Sequence, residues 1–441
     1  MMEPLEFTYH DNNLVELYRD GQNFDQKFIA LIDEAKEILH LQVYLFELDQ
    51  FGKKVFQALL DARKRGVELY ILLDAVGSKG FDETHQKELK DVGAHFCLFN
   101  GIKFERLIRW GRRLHHKILL VDDIKAMVGG INIVSPYVEV KFKSPRLDFA
   151  VYLEGPVTTN LAQYCQSIFV NHFGPVLFSG TREPISHSVG HKAQVSVNDW
   201  MQKRIEISRD YLERTEKAQN SITLINSYFF PRRKFMQQLG EAARRGVKVR
   251  VILAKYSDWP SWILASEYLY SFFFKHNIEV YLWNKSILHG KIAVIDRSWS
   301  TIGSFNLNYT SYQGNIETNI DVDSTSFGEL LEKTIDGLIE EGCEKVDPKK
   351  FFGPFGLVYR YFFYLLLSVI SNFSLAFVFQ PDGKNPNLSR IASFTRVTVA
   401  LACIAFGLFG LVVPGIAGIP FLFFGFFLLS RQVLLNKGKE F

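Results

Sequence analysis

Two short patterns in the 441-residue chain carry chemistry. The first is His115-x-Lys117-x4-Asp122, followed by Gly129-Gly130-x-Asn132; the second is His289-x-Lys291-x4-Asp296, followed by Gly303-Ser304-x-Asn306. The internal spacings agree throughout, and the two histidines stand 174 residues apart. An imidazole can attack phosphorus or move a proton. A lysine, an asparagine amide and backbone or hydroxyl donors around one point suit the charged oxygens of a phosphoryl group. A lone His-x-Lys is ordinarily a solvated strand end. Two copies in register imply a site built around one phosphodiester.

The elements that must position these residues come in duplicate. Residues 65–73 (RGVELYILL) match residues 245–253 (RGVKVRVIL) at an offset of 180. An amphipathic helical stretch precedes each (51–64 and 234–244), and the glycine that follows ends it. The alternating apolar run beyond the glycine reads as a buried strand. Upstream, strand-like segments 38–46 and 222–230 each follow a helical stretch (28–37 and 208–218). Helices alternating with strands in both halves imply α/β layers, and a period this long is not that of a solenoid. Within the motifs, 118–121 and 292–295 are apolar runs fit for a central strand. His and Lys two apart project from its entrance on one face. A Gly- and Pro-bearing stretch, 171–197, is expected to connect the halves. Its three histidines (His172, His187, His191) lack carboxylates at ligand spacing, so no metal site is expected there.

Both patterns resemble the HKD motif of the phospholipase D superfamily in its two-copy form. The flanking segments Asp148-Phe149-Ala150-Val151, Ser227-Tyr228-Phe229-Phe230-Pro231 and Gly303-Ser304-x-Asn306-Leu307-Asn308 are more similar to bacterial cardiolipin synthases than to secreted phospholipases or single-motif nucleases. The resemblance implies an α/β fold: two duplicated phospholipase-D-like domains (1–170 and 198–350) packed around a shared active site. It also implies a metal-independent, cofactor-free exchange at phosphorus, in which one histidine forms a phosphohistidine and the other handles protons. The candidate catalytic set is His115, Lys117, Asp122, His289, Lys291 and Asp296. Of these, Asp122 and Asp296 end the motif strand and are expected to hold structure. Gly130, Asn132, Ser304 and Asn306 are expected around the phosphate. The family's acidic residue that orients a histidine matches Glu317 in the second half and Asp148 in the first. The two copies differ at Gly130 against Ser304, so one side lacks a hydroxyl. Gln42 also stands where an acidic residue is expected in the nearest relatives.

Charge and hydropathy separate substrate classes. The net charge is +4, but residues 351–441 carry seven basic and two acidic side chains, leaving −1 for residues 1–350. That body charge disfavours nucleic acid, whose binding is driven by a basic face. Arg106, Arg109, Arg112 and Arg113 around Trp110 precede His115 and are candidates for contact with a lipid headgroup or membrane. The tail 351–441 also holds 17 of the 40 Phe. Segments 361–381 and 397–430 have no charged residue. A single helix of 34 residues would run about 51 Å against an apolar core of about 30 Å. Pro414-Gly415 interrupts 397–430, so a membrane hairpin is expected, with Arg396 and Arg431 both cytoplasmic. Four scattered cysteines form no CxxC pair, which fits a reducing compartment. No signal peptide is read at the N-terminus. The expectation is a cardiolipin synthase acting on phosphatidylglycerol at the bacterial inner membrane, its catalytic domains facing the cytoplasm. The alternatives are a phospholipase D hydrolase, another phosphatidyltransferase and, more remotely, a nuclease.

Overall fold

The computed structural model describes residues 5–20, 23–100, 112–135, 145–176, 178, 183–257 and 260–348, with scattered positions between 356 and 407. The first half contributes strands β1 (His10–Arg19), β2 (Ile38–Val43), β3 (Glu68–Asp74), β4 (His95–Phe99), β5 (Arg113–Leu114), β6 (Lys117–Val121), β7 (Lys125–Gly129) and β8 (Phe149–Glu154). The second contributes β9 (His191–Asp199), β10 (Arg204–Ile205), β11 (Ser221–Asn226), β12 (Lys248–Ala254), β13 (Glu279–Trp283), β14 (Lys291–Ile295), β15 (Trp299–Gly303), β16 (Asn315–Asp323) and β17 (Cys343–Lys345). Strand pairing gives the order β4-β3-β2-β6-β7-β8-β1 in one sheet. The same order, β13-β12-β11-β14-β15-β16-β9, recurs in the other. In each, the first three strands are parallel and the rest antiparallel. The duplication read from residues 65–73 and 245–253 is therefore a duplication of topology.

The motif strands lie mid-sheet because they are apolar on both faces. In β6, Ile118 and Leu120 face the core between the sheets while Leu119 and Val121 face the outer core. In β14, Ile292 and Val294 face inward and Ala293 and Ile295 outward. Period-two alternation thus feeds two cores at once. Helices α1 (Phe24–Glu34), α2 (Gln50–Lys64) and α3 (Glu83–Asp91) supply or flank the outer core of the first half. Helix α4 (Val157–Phe173) packs into the core between the sheets. Helices α5 (Glu206–Lys217), α6 (Arg233–Arg244), α7 (Pro260–Tyr268), α8 (Tyr270–Lys275) and the short α9 (Tyr309–Gln313) belong to the second half, and α10 (Thr325–Gly342) mirrors α4 in the shared core. After α2 and α6 the chain turns through Gly66 (φ +96°) and Gly246 (φ +93°), a left-handed conformation that a Cβ resists.

The structure differs from the sequence expectation in places. Residues 191–197 of the expected connection are part of β9, which pairs with β16 along eight residues from Lys192 to Asp199 and also bridges to β1. Its alternating Ala193, Val195 and Val197 bury in the shared core, a pattern obscured by the Gly and Pro residues before it. Helices α1 and α5 end sooner than their apolar periodicity suggested, for a reason given below. Among the described residues no helix is long and apolar enough to cross a membrane. Most of 361–381 and 397–430 lies outside the described residues.

Candidate active site

Each motif is placed by the opposite half. β5 runs parallel to β16, pairing Arg113 with Asn315 and Leu114 with Ile316. The backbone N–H groups of His115 and His116 then both donate to the Ile316 carbonyl, at 2.9 and 3.1 Å. The second copy repeats this: the N–H groups of His289 and Gly290 donate to the Leu147 carbonyl at 2.8 and 2.9 Å. Ile316 precedes Glu317 and Leu147 precedes Asp148. The backbone that seats one half's histidine therefore delivers the other half's carboxylate beside it.

The side chains complete the exchange. His115 Nδ1 lies 2.8 Å from Glu317 Oε2, and His289 Nδ1 lies 2.6 Å from Asp148 Oδ2. A ring nitrogen that donates to a carboxylate fixes the tautomer, leaving Nε2 for the reacting atom. Glu317 is the more fully satisfied acid. It also accepts from Ser304 Oγ at 2.5 Å, Ser311 Oγ at 2.6 Å and Asn315 Nδ2 at 3.0 Å. Asp148 accepts in addition the Phe149 N–H at 2.9 Å.

The Gly130/Ser304 difference follows from the length of the acid. Ser304 reaches up to Glu317, whereas a Cβ built on Gly130 would meet Asp148 Oδ1 at 2.3 Å. The shorter aspartate carries its carboxylate closer to the strand and occupies the space the serine fills in the other copy.

Lys117 and Lys291 rise from the strand entrances, and each Nζ donates to the carbonyl of its own motif histidine. Burial pushes Lys117 down to about 7 and Lys291 down to about 8, although Glu317 and Asp148 favour their charged forms. His289 falls to about 3, chiefly through burial and then through the charge of Lys291. His115 is also lowered by burial, with Glu317 opposing. Burial penalises the two carboxylates, yet Lys291 and His289 hold Asp148 below its usual value, and His115 and Lys117 hold Glu317 below its own. The site is thus poised with neutral imidazoles, ionised carboxylates and two lysines that an anion would keep protonated.

Asn132 and Asn306 are buried on the loops after β7 and β15. Asn306 accepts from Ser227 Oγ at 2.9 Å, and Asn132 Oδ1 has no hydrogen bond within the described residues. Asp122 and Asp296 do not join this group. They sit beyond the far ends of β6 and β14, in left-handed turns at φ +51° and +52°. Four to five strand residues at about 3.3 Å each separate them from the lysines. Asp122 accepts from the backbone N–H groups of Lys36, Glu37 and Ile38, and Asp296 from those of Gln219, Asn220 and Ser221. Each carboxylate claims the donors that would have extended the preceding helix, so α1 stops at Glu34 and α5 at Lys217.

Two of the arginines before His115, Arg112 and Arg113, are corrected. Arg112 is buried and forms a two-point ion pair with Asp199 of β9, its Nε 3.2 Å from Oδ1. Arg113 reaches Asp74 at 3.5 Å and the Asn100 carbonyl at 3.4 Å. Both brace the chain entering the motif, where a headgroup contact is expected from sequence, because Asp199 of β9 and Asp74 of β3 claim their guanidinium groups. Arg106, Arg109 and Trp110 lie outside the described residues.

Sequence reasoning missed other members. Tyr44 packs its ring 5.1 Å from that of His115 and 5.3 Å from Lys117 Nζ. Arg146 is near enough for its charge to lower both His289 and Lys291. Asp74 accepts the Leu114 N–H at 3.0 Å, one residue ahead of His115. Ser311 and Asn315, close before Glu317 in sequence, could have been found from that proximity. Gln42 proves to bind His116, at 3.1 Å, and the Cys165 carbonyl, at 2.7 Å. An acid there would face that carbonyl instead of donating to it.

The family described as "Cardiolipin synthase, PLD-like domain" matches residues 28–169 and 211–339, one match on each half of the duplication. The chain belongs to this family. Cardiolipin synthase B of Salmonella typhimurium is 30% identical over 345 residues, covering 77% of this chain and 83% of that protein. Cardiolipin synthase B of Escherichia coli K12 is 28% identical over 348 residues, covering 78% and 84%. Among solved structures, the phosphatidylserine synthase of Haemophilus influenzae Rd KW20 shares the fold with a TM-score of 0.62 at 12% identity, over 82% of this chain and 93% of that one. The cardiolipin-synthase-type duplication thus accounts for both sheets. Among the described residues no group of three or more His, Cys, Asp and Glu side chains is arranged to hold a metal ion.

Proposed function

We propose that this family member is a cardiolipin synthase that transfers a phosphatidyl group from one phosphatidylglycerol to another and releases glycerol. The observation that carries the proposal is the reciprocal exchange of carboxylates: His115 with Glu317 and His289 with Asp148. It ties each Nδ1 and leaves two Nε2 atoms for one phosphorus. In the first step one Nε2 attacks, an N–P bond forms and the P–O bond to glycerol breaks. The other imidazole delivers a proton to the departing alkoxide. In the second step that imidazole takes a proton from the incoming glycerol hydroxyl, whose oxygen displaces the histidine from phosphorus. Lys117, Lys291, Asn132 and Asn306 neutralise and hold the phosphoryl oxygens, and Gly130 and Ser304 shape the two sides. A bound anion restores proton affinity to the buried imidazoles and lysines. Asp122 and Asp296 act at a distance by fixing the strand ends.

The apolar segments 361–381 and 397–430 support attachment to a bacterial inner membrane, with the catalytic halves on the cytoplasmic side where Arg396 and Arg431 flank the hairpin. The domain limits that fit this assignment are 1–170 and, with β9 included, 191–350, with 351–441 as the membrane-associated part. Purified full-length chain and phosphatidylglycerol vesicles are expected to yield cardiolipin and glycerol in the presence of EDTA. His115→Ala and His289→Ala should each abolish the product. Phosphatidic acid as the main product, or a strict need for added divalent metal, would overturn the assignment.

A further inference from the structure

We propose that α7 and the start of the C-terminal segment form the entrance through which phospholipid acyl chains reach the site, on the His289 side. The inference rests on the phospholipid reaction proposed above.

A run of aromatic contacts leads outward from the site. The Tyr228 ring centroid is 6.3 Å from that of His289 and 6.0 Å from Trp262 on α7. Phe230 continues the run, 6.0 Å from Trp262 and 5.1 Å from Tyr364. The C-terminal segment is held there by Arg360 Nε, 2.7 Å from Glu267 Oε2, and by Leu367, buried against Phe230 and Ala265. The outer side of this assembly stays apolar: Tyr361 is 44% exposed and Leu365 42%. On α7, Trp262, Ile263 and Leu264 are all only half-buried. Three large apolar side chains in succession left partly exposed suit apolar surroundings, and Trp and Tyr favour the level of lipid headgroups.

The first half supplies the contrast. Between β3 and β4 the described residues hold one helix, α3, whose sequence ETHQKELKD buries Leu89; between β12 and β13 lie α7 and α8, and it is α8 that, like α3, stops three residues short of the next strand. Helix α7 is thus an addition to the second half, with no helical counterpart among the described residues of the first. The occupant follows from the reaction. A phosphatidyl group keeps two acyl chains attached while its phosphorus sits between the histidines, so apolar surface must adjoin the site. Tyr361 and Tyr364, the first tyrosines of the uncharged run, pack against Tyr268 at the end of α7, at 5.1 and 4.7 Å.

The test uses the full-length chain with vesicles of phosphatidylglycerol carrying brominated acyl chains, which quench tryptophan on contact. Brominated vesicles are expected to quench the native chain more than Trp262→Phe, a variant that keeps a ring in place. Leu365→Asp, at an exposed position, is expected to raise the interfacial KM about tenfold with kcat little changed, since burial of one leucine is lost. Equal quenching in the native chain and Trp262→Phe would overturn the proposal. So would Trp262 left unquenched because the chain's own tail covers α7, or an unchanged KM in Leu365→Asp with folding intact. Quenching needs no turnover, so loss of the cardiolipin product with quenching retained would reject the proposed reaction and leave the lipid contact standing.

Discussion

Glu317→Gln isolates one charge at an almost constant shape. Either role of His115, attack or proton transfer, places positive charge on its ring, and Glu317 Oε2 lies 2.8 Å from Nδ1. With charge centres about 4 Å apart and an effective dielectric near 20, that charge is stabilised by about 4 kcal/mol. At about 1.36 kcal/mol per decade, its loss slows the reaction about 10³-fold. The amide adds a second effect. Glu317 accepts from four donors, His115, Ser304, Ser311 and Asn315, and glutamine has one acceptor oxygen. Where its NH₂ faces His115 the ring must take the other tautomer, which protonates Nε2 and removes its lone pair from the site. The assay is conversion of phosphatidylglycerol to cardiolipin, with thermal melting of the same preparations. A rate within tenfold of native, in a chain that melts normally, would refute the orienting role of Glu317. Ser304→Ala removes one donor of the four and should cost far less than Glu317→Gln.

Gly130→Ser should lower kcat at least 100-fold, because its Cβ would meet Asp148 Oδ1 at 2.3 Å and displace the acid from His289. Pairing it with Asp148→Glu copies Ser304 and Glu317 and should recover activity at least tenfold over the single variant, measured in the same assay. Arg112→Met should destabilise the fold by about 3–5 kcal/mol in denaturant titration, because Asp199 is left charged and buried. Arg112→Met with Asp199→Leu should regain most of that loss. The pH profile of kcat/KM should fall on the alkaline side from about pH 7 to 8, as Lys117 (about 7) and Lys291 (about 8) lose the charge that holds the phosphoryl group. The acid limb should lie below the ordinary histidine range, since burial keeps whichever of His115 and His289 attacks neutral as pH falls. Lys117→Arg should move the alkaline limb upward; an unmoved limb would clear Lys117 of that role.

Much of the site was legible because its chemistry is written in local spacing. His-x-Lys at a strand entrance, the apolar run behind it and the Gly-x-Asn turn are set by residues a few positions apart, and their repetition marked two halves of one design. Asp148 and Glu317 were matched through the family resemblance, which implies an acid downstream of each motif. Lipid over nucleic acid followed from where the charge sits along the chain. Spacing along one chain could not say which carboxylate serves which histidine. That exchange exists because β5 pairs with β16 and Leu147 bridges to Leu288, contacts between residues about 140 to 200 positions apart. The same cause turned Arg112 from an expected headgroup contact into an internal strut, since its partner Asp199 comes from the other half. Strand pairing within one sheet gave Gly130 its reason, a collision with an acid 18 positions later, and tertiary packing brought Trp262 and Tyr364 against Phe230. Local sequence determined which chemical groups each half carries; the packing of one half on the other decided which of them meet, because imidazole orientation, burial and proton affinity all arise from neighbours that only the closed fold supplies.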